Sequence, residues 1–194
     1  MWRQALAGAR GRGPGARGLA FSAALAALGS MACGWPADPA HATGDKATAK
    51  VIGIDGKDLG SVDFEETLAG MLVTAKLKGL PPGAHAFHIH DIGRCEPPFA
   101  SSGKILNPFN AKHGLRNEEG PAMGDMPNLY VPASGDVVAE VLNPYVTLAA
   151  EGDGSLLRET GTSVIVRTTG DDHQAQPDGN SGAPIACGVI KKAQ

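Results

Sequence analysis

Gly83-Ala84-His85-Ala86-Phe87-His88-Ile89-His90 is the stretch on which the fold turns. In an extended chain successive side chains alternate between faces, so His88 and His90 project the same way. Two imidazoles on one rigid face can grip a copper or zinc ion. An isolated His-x-His also suits a strand with a plain polar face, so the residues around it have to decide.

Outward from this stretch, short apolar runs follow one another with turn signals between them. Val51-Ile52-Gly53, Ser61-Val62-Asp63-Phe64, Met71-Leu72-Val73-Thr74-Ala75, Val137-Val138-Ala139-Glu140-Val141 and Ser163-Val164-Ile165-Val166 read as strands. Asp55-Gly56, Pro82-Gly83, Ser134-Gly135, Glu151-Gly152-Asp153-Gly154 and Asp178-Gly179 read as turns. No segment sustains a helical period. The composition agrees, with 27 glycines and 14 prolines against 5% aromatic residues in 194 residues. The length suits one core and no internal repeat is present, so we expect one domain.

The first 32 residues read separately. Arg3, Arg10, Arg12 and Arg17 make a positive head, Leu19 to Leu28 is rich in Ala and Leu, and small residues follow. This is the layout of a secretory signal and too short for a membrane span. Two cleavage points compete: after Ser30-Met31-Ala32, which exposes Cys33 for a lipid anchor, or after Ala40-His41-Ala42, which leaves Thr43 first. We therefore divide the chain into a signal at 1–32, a linker at 33–46 and a domain at 47–194. Loss of residues 1–32 leaves 13 basic against 20 acidic residues, a net charge of −7. That balance argues against a nucleic-acid partner.

Several further segments, in order, resemble the bacterial copper/zinc superoxide dismutases. They are Gly79-Leu80-Pro81-Pro82-Gly83, Phe87 to His90, Cys95-Glu96-Pro97-Pro98, Asn107-Pro108, Lys112-His113-Gly114, Gly124-Asp125-Met126-Pro127-Asn128-Leu129, and Gly179-Asn180-Ser181-Gly182 leading into Ala186-Cys187-Gly188-Val189-Ile190. The resemblance runs from about Ala47 to Lys191 and implies an all-β, eight-stranded antiparallel Greek-key barrel. It implies a disulfide between Cys95 and Cys187, which leaves Cys33 odd and fit for lipidation or removal with the signal.

The same resemblance implies a cage of seven residues, four histidines on copper and three histidines with an aspartate on zinc, one histidine being shared. His88 and His90 fall on two copper positions, and His113 and Asp125 on two zinc positions. The shared histidine falls on Ile105, the third zinc histidine on Ala122, and the last copper histidine on Arg167. The arginine that guides superoxide falls on Pro184. The chain has six histidines, at 41, 85, 88, 90, 113 and 173, so no local shift supplies the shared ligand. His85 resembles a histidine that hydrogen-bonds across the barrel, His41 precedes the domain, and His173 reaches the site only if its loop, Gly170-Asp171-Asp172-His173, refolds. A cation at Arg167 needs a partner when drawn out of water; Asp171 or Asp125 is expected to supply it.

Three functions follow as expectations. The favoured one is an exported protein that has lost dismutase activity and serves as a binding or structural module, in the periplasm or lipid-anchored to the envelope, with an envelope partner and an open oligomeric state. No tightly bound cofactor is expected, with copper or zinc held weakly. The alternative is a copper-binding protein, or a weakly active copper dismutase, that uses His88 and His90. A fully active dismutase is the third.

Overall fold

The structure, a computed structural model, describes residues 44–194. Cys33, His41, Thr43 and both cleavage points lie outside the described residues. The strands are β1 (Lys46–Gly53), β2 (Asp58–Thr67), β3 (Gly70–Leu77), β4 (Gly83–His85), β5 (Phe87–His90), β6 (Leu129–Val131), β7 (Val137–Asn143), β8 (Ser163–Arg167) and β9 (Pro184–Lys192), with one 3-10 turn at Ala100–Ser102. The first strand starts at Lys46, opposite Glu65, one residue before the boundary drawn from the sequence.

Register explains the core. Opposed residues share a face, so Ile190, Ala49, Val62, Ala75 and Ala139 form one inward row across five strands. The outward row through Thr48, Asp63, Thr74 and Glu140 is polar and bonds to itself, Thr48 Oγ1 donating to Asp63 at 2.9 Å. The sheet order is β5-β8-β9-β1-β2-β3-β7. After β3 the chain crosses to the far edge to place β5, then returns to place β7 beside β3, which is a Greek-key path. Phe87 and Ile89 of one edge and Val73 and Val137 of the other bury in a single cluster, so the sheet curls around its core.

Among the described residues nine strands stand where eight were expected, because Gly83 to His90 is two strands. Gly83–His85 pairs with β6, and Phe87–His90 with β8. Ala86 lies at the switch: its N–H donates to the Thr169 carbonyl, and its own carbonyl accepts from Arg167 N–H.

β5 and β8 are buried on both faces, unlike β1 to β3. The long segment after His90 returns along the free edge of β5. Leu106 N–H donates to the Ile89 carbonyl, Ile89 N–H to Gly124, and Gly124 N–H to Leu106, each at 2.9 Å. A Cβ at Gly124 would lie 2.2 Å from the Ile89 oxygen, so only glycine lets these backbones meet. The exposed edge that such a strand would offer to aggregation is thereby covered.

The disulfide joins Cys95 to Cys187 with Cα atoms 5.6 Å apart and a sequence separation of 92. It seals a small outer cluster of Phe99, Ile165 and Cys187. In the chain-entropy account, closing a loop of this length stabilises by roughly 4 to 5 kcal/mol.

Candidate metal centre

The outward face of β5 carries both histidines into this covered layer. His88 is opposite Ile165 of β8 and His90 is opposite Ser163. On the other side of β5, backbone bridges set Asp125 beside His88 and Ile105 beside His90. Paired residues share a face, so an aspartate accompanies the first histidine and an apolar side chain the second.

One carboxylate organises the rings. Asp171 accepts from His88 Nε2 at 2.8 Å through Oδ2 and from His113 Nε2 at 3.1 Å through Oδ1. It also accepts the His173 N–H at 2.6 Å. Asn128 fastens the Asp171 backbone, accepting its N–H at 2.8 Å and donating to its carbonyl at 2.9 Å. Gly179 closes over the carboxylate: its φ is +65°, and a Cβ there would fall 1.6 Å from Oδ1. With both Nε2 atoms spent on Asp171, both rings turn Nδ1 the other way.

Those Nδ1 atoms meet different company. His113 Nδ1 donates to Asp125 Oδ1 at 2.7 Å, and the second oxygen of Asp125 accepts from Gly114 N–H at 2.7 Å and Ala122 N–H at 2.9 Å. His88 Nδ1 is fully buried and has no hydrogen-bond partner among the described residues. Burial opposes charge on His113, but its hydrogen bonds to Asp125 and Asp171 outweigh that and push it up to about 9. Burial likewise opposes ionisation of Asp171, yet the hydrogen bonds from His113, His88 and His173 N–H hold it well below the usual carboxylate range. His113 is therefore an imidazolium clasped between two carboxylates.

His90 is the opposite case. Its Nδ1 lies 3.2 Å from the Gly103 carbonyl and 3.1 Å from Ser102 Oγ, while Nε2 is buried without a partner. Burial first, then His88 and Arg167, push it down to about 3, so the ring stays neutral. A lone pair on a neutral, fixed ring is a metal donor waiting for an acceptor.

A cleft of about 590 Å³ opens over this layer, lined among others by His90, Ile105, His113, Ala122, Arg167 and Asp178. Arg167 does face the cleft, but its partner is neither Asp171 nor Asp125. Its guanidinium bonds Asp178 Oδ2 at 2.5 Å and the Gly182 carbonyl at 2.6 Å. The reason is occupancy: Asp171 and Asp125 are already saturated by the imidazoles and backbone N–H groups. Asp178, with a side chain 29% exposed, is the acceptor left within reach of a side chain 13% exposed. Pro184 is opposite Arg167 at the first residue of β9, where a missing N–H costs least.

His85 bridges two carbonyls, Arg167 at 2.7 Å and Pro81 at 2.8 Å, as expected of a histidine that ties the barrel. His173 lies in a left-handed conformation, φ 61°, with Nδ1 3.4 Å from Asp171 Oδ2. Among the described residues, the potential metal donors that gather in a group of three or more are His88, His113 and Asp125, all within 4.8 Å of one another. Sequence reasoning missed the organising role of Asp171 and the support from Asn128 and Gln176, whose side chain brackets the His113 backbone through two 2.9 Å bonds.

A curled Greek-key sheet, a disulfide that pins a long covering loop, and imidazoles locked by buried carboxylates on its outer face define a β-barrel of metalloprotein type. Residues 59–190 match the family described as "Copper/zinc superoxide dismutase (SODC)". The chain belongs to this copper/zinc superoxide dismutase family. It is 47% identical over 148 residues to "Superoxide dismutase [Cu-Zn] 2" of Aquifex aeolicus, covering 75% of this chain and 86% of that one. It is 34% identical to "Superoxide dismutase-like protein YojM" of Bacillus subtilis, covering 86% and 92%. The crystal structure of a superoxide dismutase-like protein from Bacillus subtilis superposes with a TM-score of 0.71 at 34% identity, covering 73% of this chain and 96% of that one.

Proposed function

We propose that this protein is an exported member of the family that has given up dismutation and serves as a binding or structural module of the cell envelope. Dismutation needs a redox-cycling copper in a fixed imidazole cage, and the donors here do not fit the family's two-metal centre. The observation that carries this is Arg167. A guanidinium lines the cleft with His90 where the resemblance puts the last copper histidine, near enough to help push the His90 pKa down, and it supplies positive charge in place of a donor atom for a metal cation. Ile105 and Ala122 add no donor atoms, and Pro184 supplies no guiding charge.

The disulfide fits a chain outside the cytoplasm, because such bonds persist in oxidising compartments. Export through residues 1–32, with Cys33 as a lipidated terminus or Thr43 as a plain one, agrees with it. A second reading, a copper-binding protein, draws on one observation: His88 Nδ1 and His90 Nε2 are both buried without partners. Two imidazole nitrogens suit soft monovalent copper.

The test of the favoured reading is superoxide turnover by the purified protein after loading with copper and zinc and removal of loose metal. Activity no higher than the released copper accounts for is the expected result. Substantial turnover per chain would show that these residues complete a working site.

A further inference from the structure

We propose that His88, His113 and Asp125 form one site for a single zinc ion, joining an imidazole that the family resemblance gives to copper with two ligands that it gives to zinc. The inference deepens the reading of a non-dismutating module and rests on it, since a chain that holds both metals would spend these donors separately.

Three independent observations meet at this point. The backbone bridge between His88 and Asp125 fixes the two side by side on one face, where the covering loop is hydrogen-bonded to the edge of β5. Asp171 holds both imidazoles through Nε2, which leaves Nδ1 of each ring as the atom turned away from it, that of His113 onto Asp125 Oδ1 at 2.7 Å. His88 Nδ1, on a side chain with no exposure, is left without any partner. A buried imidazole nitrogen without a partner is costly unless something fills the gap.

The three donor atoms lie within 4.8 Å of one another. Zinc with bonds of about 2.0 to 2.1 Å needs tetrahedral donors roughly 3.3 Å apart, so His113 Nδ1 and Asp125 Oδ1, now 2.7 Å apart, separate slightly while His88 closes in on binding. The zinc ion replaces the proton that His113 Nδ1 shares with Asp125 Oδ1, and that proton leaves to solvent. Two nitrogens and one oxygen, with a water as the fourth donor, make an ordinary zinc set. Ile105 is what confines the protein to one ion. It stands beside His90 with no donor atom, so no residue there couples His90 to the trio.

The site would tie the covering loop, through His113 and Asp125, to strand β5. That is a structural use of metal, suited to a protein without redox chemistry.

The experiment is zinc titration of the purified, disulfide-bonded protein against a chromophoric chelator. One equivalent per chain is expected. His88→Ala, His113→Ala and Asp125→Asn should each weaken binding at least tenfold, while His90→Ala should change it less than twofold. Binding that is lost in His90→Ala and survives Asp125→Asn would move the ion to the His88 and His90 pair and overturn the proposal, as would two equivalents or none. Where a variant does not fold, X-ray absorption at the zinc edge of the unmodified protein decides: two imidazoles per ion are expected, and any other number overturns the assignment. Zinc held elsewhere without superoxide turnover would sink this site alone. Turnover after copper loading would sink the reading beneath it.

Discussion

Replacing Asp171 with alanine should cost the metal-free protein about 3 to 5 kcal/mol, the usual penalty for stripping one partner from a buried charged network. The carboxylate is fully buried and accepts from His88, His113 and the His173 backbone together. Its loss leaves His88 Nε2 without an acceptor and deprives the His113 imidazolium of one of its two counter-charges. Urea unfolding of the oxidised protein reads the loss as a lower midpoint. Zinc affinity should fall a further 10- to 100-fold, the typical effect of removing a carboxylate that orients metal-binding imidazoles. Asp171→Asn keeps the shape and should recover part of the stability but little of the affinity, since an amide cannot balance the imidazolium. Unchanged unfolding in Asp171→Ala would mean that the imidazoles are held by something other than this carboxylate.

Rebuilding the cage should have the opposite and larger effect. Ile105→His places an imidazole beside His90 along an existing backbone bridge. Ala122→His places one next to Asp125, whose Oδ2 already accepts the Ala122 N–H. Arg167→His removes the fixed cation from the cleft and frees Asp178, which is exposed enough to be hydrated without a partner. The triple variant should hold two metal ions per chain and show superoxide turnover orders of magnitude above the unmodified protein. Adding Pro184→Arg should raise turnover further at low salt, where steering of an anion is least screened. A triple variant that folds, binds both metals and stays inactive would show that the replaced ligands are not what silenced the site.

Much of the fold was open to reading because its strands alternate. Met71, Val73 and Ala75 face inward with polar neighbours between them, and such a period needs no knowledge of the rest of the chain. β6 and β9 gave no such signal. Leu129–Val131 is a three-residue strand flanked by Pro127 and Pro132, and Pro184–Lys192 holds Pro and Gly, whose propensity argues against a strand. β9 exists because β1 and β8 complete its ladder from both sides, and β6 because it pairs with β4. The single strand expected at Gly83 to His90 divides because it serves two pairings, a tertiary fact without a local signature.

In the site, the residues that could hold metal were readable from type and order, whereas their organiser was not. Asp171 sits in a loop of polar residues, with nothing local to mark it as buried. Its burial comes from Gly179, eight residues on, whose missing side chain is what lets the loop fold over the carboxylate. The partner of Arg167 was misread for the same reason. Counting nearby carboxylates says nothing about which are already saturated, and the hydrogen bonds that saturate Asp171 and Asp125 cross 83 and 12 residues of sequence.

The most direct measurement is the mass of the intact, folded protein after it is offered equimolar copper and zinc and dialysed free of loose metal. The expected mass is that of one chain carrying a single zinc ion and no retained copper. A chain carrying one copper and one zinc would contradict it, because the two-metal centre would then stand complete without the three histidines that Ile105, Ala122 and Arg167 replace.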